Sequence, residues 1–152
     1  MVLTIGQIAP TFTLKSSDAQ NVSLEDFRGK KVLLVFYPFS FTGICTKELC
    51  AIRDNENDFL DDDTVVISIS CDSHYVLQNF KNQENFTHIL LSDFWPHGEV
   101  SRAYGVFNEE RGMAIRGSFL IDREGILRWS VINQPGDPRS TSAYREALKA
   151  IG

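Results

Sequence analysis

Seven residues, Lys31 to Tyr37 (KVLLVFY), constrain the fold of this chain more than any other feature. The run is almost wholly apolar and rich in β-branched side chains. It reads as a central strand buried on both faces. Pro38 ends it, since proline has no N–H to offer a neighbouring strand. A second run, Thr64 to Ser70 (TVVISIS), has the same character.

Polar, helix-like stretches alternate with these runs. Phe12–Leu14 and Val22–Leu24 are expected as a short N-terminal hairpin, with a turn at Arg28-Gly29-Lys30. A loop over Phe39–Gly43 leads into a helix from Ile44 to Leu60. The Asp61-Asp62-Asp63 run is expected as a solvated helix end or turn. His74–Glu84 is expected as a helix and His88–Leu91 as a short strand. Glu99–Tyr104 is expected as a helical turn or two, stopped by Gly105. Ser118–Asp122 and Ile126–Val131 make a late hairpin joined at Glu124-Gly125, and Thr141–Ile151 is a closing helix. This order implies an α/β protein of thioredoxin-like fold. It has an N-terminal β-hairpin, a central mixed sheet and helices on both faces. A doubly wound, flavodoxin-like sheet is the alternative.

With 152 residues, one domain spanning 1–152 is expected, able to fold without a metal or disulfide. The formal charge of −5 argues against a general nucleic-acid binder. No apolar run reaches the roughly 18 residues of a membrane span. No basic residue precedes Lys15, so no signal peptide is read and a cytoplasmic location is expected. Three cysteines in that setting are core thiols, metal ligands or redox groups rather than a structural framework.

Cys45 is the cysteine whose position carries chemistry. It sits just past the end of a buried strand, where open α/β sheets bind ligands. It also falls in the first turn of a helix. The unpaired N–H groups and partial positive charge there favour a thiolate, the nucleophilic form. A thiolate attacking oxygen needs donors for the oxygen that leaves. Thr42 supplies a hydroxyl, Gly43 permits close backbone approach, and Pro38 is rigid and without an N–H. The missing cation is expected from Arg116, which opens an apolar strand.

At these residues the chain resembles the peroxiredoxin family. Pro38, Thr42 and Cys45 form its PxxxTxxC signature, and Arg116 fits its second active-site arginine motif. The likeness runs through Ala9-Pro10, Leu91-Ser92-Asp93, Tyr104-Gly105-Val106 and Phe119-Leu120-Ile121-Asp122. The stretch Leu91–Asn108 is most similar to the bacterial alkyl hydroperoxide reductase E subgroup. The resemblance implies a thiol peroxidase in which Cys45 becomes a sulfenic acid. It implies that Thr42, Arg116 and the Cys45 backbone N–H hold the hydroperoxide, and that Glu48 orients an arginine. It further implies reduction by a thioredoxin-like protein or a small thiol, and a homodimer built from neighbouring loops.

Cys50 lies five residues after Cys45, a spacing that resembles the bacterioferritin comigratory, or Q-type, peroxiredoxins. There the second cysteine resolves the sulfenic acid. Five residues of helix separate Cα atoms by roughly 8–9 Å, and a disulfide needs less than about 7 Å. A Cys45–Cys50 bond therefore requires this helical segment to unwind. Cys71, at the end of TVVISIS, is an alternative resolver or a core thiol, and an external thiol remains a third route.

His74, His88 and His97 are scattered and no CxxC pair exists, so neither a metal nor a flavin or nicotinamide cofactor is expected. Phe39, Phe41 and Ile44 are expected at the pocket rim. Trp95-Pro96-His97 is expected to pack or to form an interface. Arg139 is either a supporting arginine or a helix-start residue. Two other functions compete. A thiol–disulfide oxidoreductase would reduce insulin disulfides quickly and react slowly with peroxide. A redox-sensing interaction module would not turn over.

Overall fold

The computed structural model describes residues 3–59, 63–133, 139 and 141–151. Its elements run β1 (Thr13–Ser16), β2 (Asn21–Ser23), a 3-10 turn (Leu24–Phe27), β3 (Lys31–Phe36), α1 (Gly43–Phe59), β4 (Thr64–Ser70) and α2 (His74–Glu84). They continue with β5 (Ile89–Ser92), α3 (Glu99–Ala103), β6 (Phe107–Asn108), β7 (Met113–Ala114), β8 (Gly117–Ile121), β9 (Leu127–Ile132) and α4 (Thr141–Ile151).

The main sheet has the order β2-β1-β5-β4-β3-β8-β9. β3 pairs in parallel with β4, and β4 with β5. β8 lies antiparallel to β3 and β9 antiparallel to β8. The sheet is therefore mixed, as the thioredoxin-like reading requires and an all-parallel doubly wound sheet forbids.

β3 is buried at every position, and its side chains alternate between two cores. Val32, Leu34 and Phe36 join Ile67, Ile69, Tyr104 and Phe119 on one face. Leu33, Val35 and Tyr37 join Leu49, Ile52, Leu77, Phe80 and Leu148 on the other. Helices α1, α2 and α4 cover the second face, while α3 and the 3-10 turn cover the first. Phe36 packs at ring-centroid distances of 5.4 Å from Tyr104 and 5.7 Å from Phe119. Each such fully buried side chain contributes about 1.5–3 kcal/mol.

The structure departs from the sequence reading in a few places. Leu24 leaves the hairpin and starts the 3-10 turn, because the Asp26 carboxylate accepts the Ser23 N–H at 3.0 Å and turns the chain. Tyr37 falls outside β3 although its N–H still donates to Ile69 at 3.0 Å. The β6–β7 hairpin was not expected at all. Its turn is held by Asn108, whose Oδ1 accepts the N–H groups of Glu110 and Arg111, each at 3.0 Å. Leu60, Asp61 and Asp62 lie outside the described residues. Asp63 occupies a turn and accepts from Arg123 at 3.1 Å.

The loop between β3 and α1 is tied down. The Ser40 N–H donates to Asp72 at 2.9 Å, and the Ser70 hydroxyl donates to the same carboxylate at 2.8 Å. Tyr37 and Ser40 share a hydroxyl hydrogen bond of 2.9 Å. Phe41, with φ 69, is held in the left-handed region and packs on Phe80 at 4.9 Å.

Candidate active site

Cys45 stands in the first turn of α1 and is fully buried. Its backbone N–H is among those that find no carbonyl a turn earlier in the helix. The Thr46 N–H donates to the Thr42 carbonyl at 2.9 Å, which opens the helix. The Thr42 hydroxyl does not cap it. That hydroxyl donates to the Phe39 carbonyl at 2.9 Å, leaving its lone pairs free to accept.

Arg116 comes from the residue before β8, and β8 lies beside β3. Its Nη1 donates to Cys45 Sγ at 3.4 Å. A guanidinium donor there stabilises negative charge on the sulfur. The same Nη1 donates to Glu48 Oε1 in a buried ion pair. Glu48 lies one turn after Cys45, so α1 presents the Cys45 sulfur and the Glu48 carboxylate to one guanidinium.

Arg139 completes the cluster. It donates to Glu48 Oε2 from its backbone N–H at 2.7 Å and from Nε at 2.9 Å, and to Oε1 from Nη2 at 3.1 Å. Its Nη1 also reaches the carbonyls of Phe36 at 2.6 Å and Gly117 at 3.0 Å. Of its two weighed readings, the structure thus gives Arg139 the supporting place. Gly117 itself is pressed against Val106. A Cβ there would come within 2.6 Å of Val106 Cγ1.

A cavity of about 240 Å³ opens beside the sulfur. Pro38, Phe39, Thr42, Cys45 and Arg116 line it, as the sequence led one to expect. Phe41 and Ile44 do not. Phe41 turns to Phe80 because of its left-handed backbone, and Ile44 is outside the lining. The sequence reading missed Asn108, Arg111, Met113, Ile115 and Asn133, which also line the cavity. The first three come from the unforeseen β6–β7 hairpin. Its signal was Asn108 followed by Gly112 between apolar residues.

The other cysteines are not gathered at Cys45, and all three thiols are free. Cys50 is half-buried on the same unbroken helix and donates to Glu84 Oε1 at 3.4 Å. Burial, then the Glu84 contact, pushes the Cys50 thiol up. Cys71 continues the side-chain series of Ile67 and Ile69, on the face opposite Cys45. Burial, with Asp93 beside it, pushes the Cys71 thiol up to about 11. The three histidines make separate contacts. His88 meets Ser68 at 2.8 Å, His97 meets the Gly112 carbonyl at 2.7 Å, and His74 stacks on Tyr75. Trp95 is 79% exposed and does not pack, whereas His97 does.

A buried cysteine at a helix start, under an arginine on a thioredoxin-like sheet, defines a thiol-based redox enzyme. Residues 5–130 match the AhpC/TSA family. The chain is 47% identical over 151 residues to the alkyl hydroperoxide reductase E of Mycobacterium tuberculosis, covering 99% of each. It is 35% identical over 161 residues to a thioredoxin peroxidase of Echinococcus granulosus, covering 99% of this chain and 81% of the relative. The crystal structure of Enterococcus faecalis AhpC superposes with a TM-score of 0.90 at 30% identity, covering 99% of this chain and 93% of that one. The chain therefore belongs to the AhpC/TSA family and is a peroxiredoxin, a thiol-dependent peroxidase.

Proposed function

We propose that Cys45 is the sulfur that attacks the hydroperoxide, and that hydrogen peroxide and organic hydroperoxides are the substrates. The observation that carries this reading is the Arg116 Nη1 contact to Cys45 Sγ at 3.4 Å, at the floor of a cavity. The thiolate attacks one peroxide oxygen, and the O–O bond breaks. Cys45 becomes a sulfenic acid, and the second oxygen leaves as hydroxide or alkoxide and takes a proton. Arg116, the Cys45 N–H and the Thr42 hydroxyl hold the two oxygens. Arg116 Nε, buried and without an acceptor among the described residues, supports a role in that grip. Pro38 and Phe39 wall the cavity, and Glu48 with Arg139 fixes the Arg116 guanidinium.

Cys50 then resolves the sulfenic acid after the start of α1 unwinds, and a thioredoxin-like protein or a small thiol restores both thiols. The place of Cys71 on the far side of the sheet speaks against it as resolver. Residues 1–152 work as one domain. The exposed aromatic residues Tyr75, Phe94 and Trp95, which line one surface hollow, support a homodimer. Three free thiols suit a reducing compartment, the cytoplasm.

Stopped-flow oxidation of the wild type beside Cys45→Ser, Cys50→Ser and Cys71→Ser tests the assignment. Cys45→Ser is expected to abolish the first oxidation step. Cys50→Ser is expected to stall as the sulfenic acid, and Cys71→Ser to behave as wild type. Peroxide consumption by Cys45→Ser at the wild-type rate would overturn the reading.

A further inference from the structure

Cys50 is moored where it stands. Its thiol donates to Glu84 Oε1 at 3.4 Å, at the last residue of α2. One turn further along α1, Arg53 donates to the Glu84 carbonyl and lies over the Phe86 ring at 6.0 Å. Glu56 accepts from the Thr87 hydroxyl at 2.8 Å. Three residues on successive turns of α1 are thus tied to the segment 84–87.

The start of α1 has a different character. Gly43 opens it, and the left-handed Phe41 precedes it. Cys45 itself is held through Arg116 at 3.4 Å. Oxidation replaces that sulfur's negative charge by a neutral S–OH, which weakens the contact. The end released by the first step is therefore the Cys45 end.

We infer that Cys45 travels to a stationary Cys50, and that Glu84 is the general base that takes the Cys50 thiol proton as the disulfide forms. This rests on the reading of Cys50 as the resolving thiol. In the step, the Cys50 S–H bond breaks and its proton goes to a Glu84 carboxylate oxygen. The Cys50 sulfur bonds to Cys45 Sγ as the Cys45 S–OH bond breaks. The hydroxide leaves and is protonated to water, and Glu84 returns its proton to solvent. Cys50 sulfur is oxidised and Cys45 sulfur is reduced, with no further reagent.

Such a base is needed here. Burial and the Glu84 contact keep the thiol protonated above its ordinary range. Other charges near the pair are Arg53 and Asp54 on α1 and Lys81 on α2. Beyond them lies His88, which burial keeps neutral. None of these is placed on the Cys50 sulfur by a hydrogen bond, as Glu84 is.

The test follows the loss of sulfenic acid by rapid quench and mass spectrometry, with the full chain, between pH 6 and 10. Glu84→Gln keeps an acceptor of the same shape but removes the base. It is expected to slow disulfide formation at pH 7 by about 100-fold or more. The deficit should shrink as pH rises and Cys50 ionises unaided. A purely structural role would give a deficit independent of pH. Glu84→Asp, which keeps a carboxylate, should recover part of the rate. Disulfide formation in Glu84→Gln as fast as in wild type at pH 7 would overturn the inference. If Glu84→Gln loses α2, the wild-type profile decides. Base catalysis gives a rate already level at neutral pH, whereas a tenfold rise per pH unit would refute it. Failure of the underlying reading looks different: the wild-type product would then carry no Cys45–Cys50 disulfide.

Discussion

Glu48 sits between two guanidinium groups, so one negative charge faces two positive ones and the cluster behind Cys45 keeps a net positive charge. That residual charge lies beside the Cys45 sulfur, which the proposed function makes the attacking group. All three side chains are buried, with exposures of 3% for Glu48, 7% for Arg116 and 2% for Arg139. Their charges are poorly screened by water, and removing one partner leaves the others unpaired. Glu48→Gln is expected to lower stability by about 3 kcal/mol, read from the urea midpoint at constant m-value. The rate of Cys45 oxidation should fall with it, because Arg116 loses the carboxylate that aims its Nη1. A variant as stable and as reactive as wild type would show that the Glu48 charge is not what aims Arg116. The sequence revealed part of this cluster. Cys45 and Thr42 were legible because a strand end and a helix start are local features. Glu48 was a candidate only through the family resemblance, since its arginine partners are distant in sequence. Arg139 stayed undecided, since its partner lies 91 residues away and only the folded sheet brings them together.

The element that sets the cavity is the loop from Pro38 to Thr42, and its least comfortable residue is Phe41. A non-glycine residue at φ 69 carries strain of about 1–2 kcal/mol. The packing of Phe41 on Phe80 and the Ser40–Asp72 hydrogen bond hold it there. Phe41→Ala keeps the strain and loses the packing. Phe41→Gly loses the packing but relieves the strain. Denaturant unfolding of the two is expected to place Phe41→Gly above Phe41→Ala by about 1 kcal/mol. The opposite order would mean that the loop relaxes out of the left-handed region once the ring is gone. Strands and helices with a clear period were legible in the sequence: β4, α2 and α4 have the expected limits. The β6–β7 hairpin was not, because two residues per strand are too few to show alternation. Missing it also hid Asn108, Arg111 and Met113 from the cavity wall.

At the scale of the molecule, one buried base links core packing to pH. His88 precedes β5 and contacts Phe86 at 5.3 Å, while its Nε2 shares a 2.8 Å hydrogen bond with Ser68 of β4. Its Nδ1 has no partner among the described residues. Burial, aided by the nearby charge of Lys81, lowers the imidazole to about 3. In the unfolded chain a histidine takes its proton near pH 6.5. Between those two values the unfolded chain binds a proton that the folded chain refuses. Stability from this residue is therefore complete above about pH 6.5 and drains away as pH falls toward 3. Across that window the loss approaches about 1.4 kcal/mol per pH unit. Asp93 acts in the opposite sense, because burial raises it and the folded chain then takes that proton first. The two are separable by substitution. His88→Gln keeps a neutral polar side chain at the Ser68 contact and cannot titrate. Urea midpoints measured from pH 7.5 to 4 should fall more steeply for the wild type than for this variant. Parallel curves would mean that water reaches His88 in the folded protein and that the barrier between β4, β5 and solvent is open. A steeper wild-type curve that flattens above pH 6.5 would tie acid sensitivity to the packing that seats Phe86 and Phe80 behind α1. Those rings also back the helix that carries Cys45, so loss of this seal should be accompanied by loss of peroxide reactivity in the same pH range.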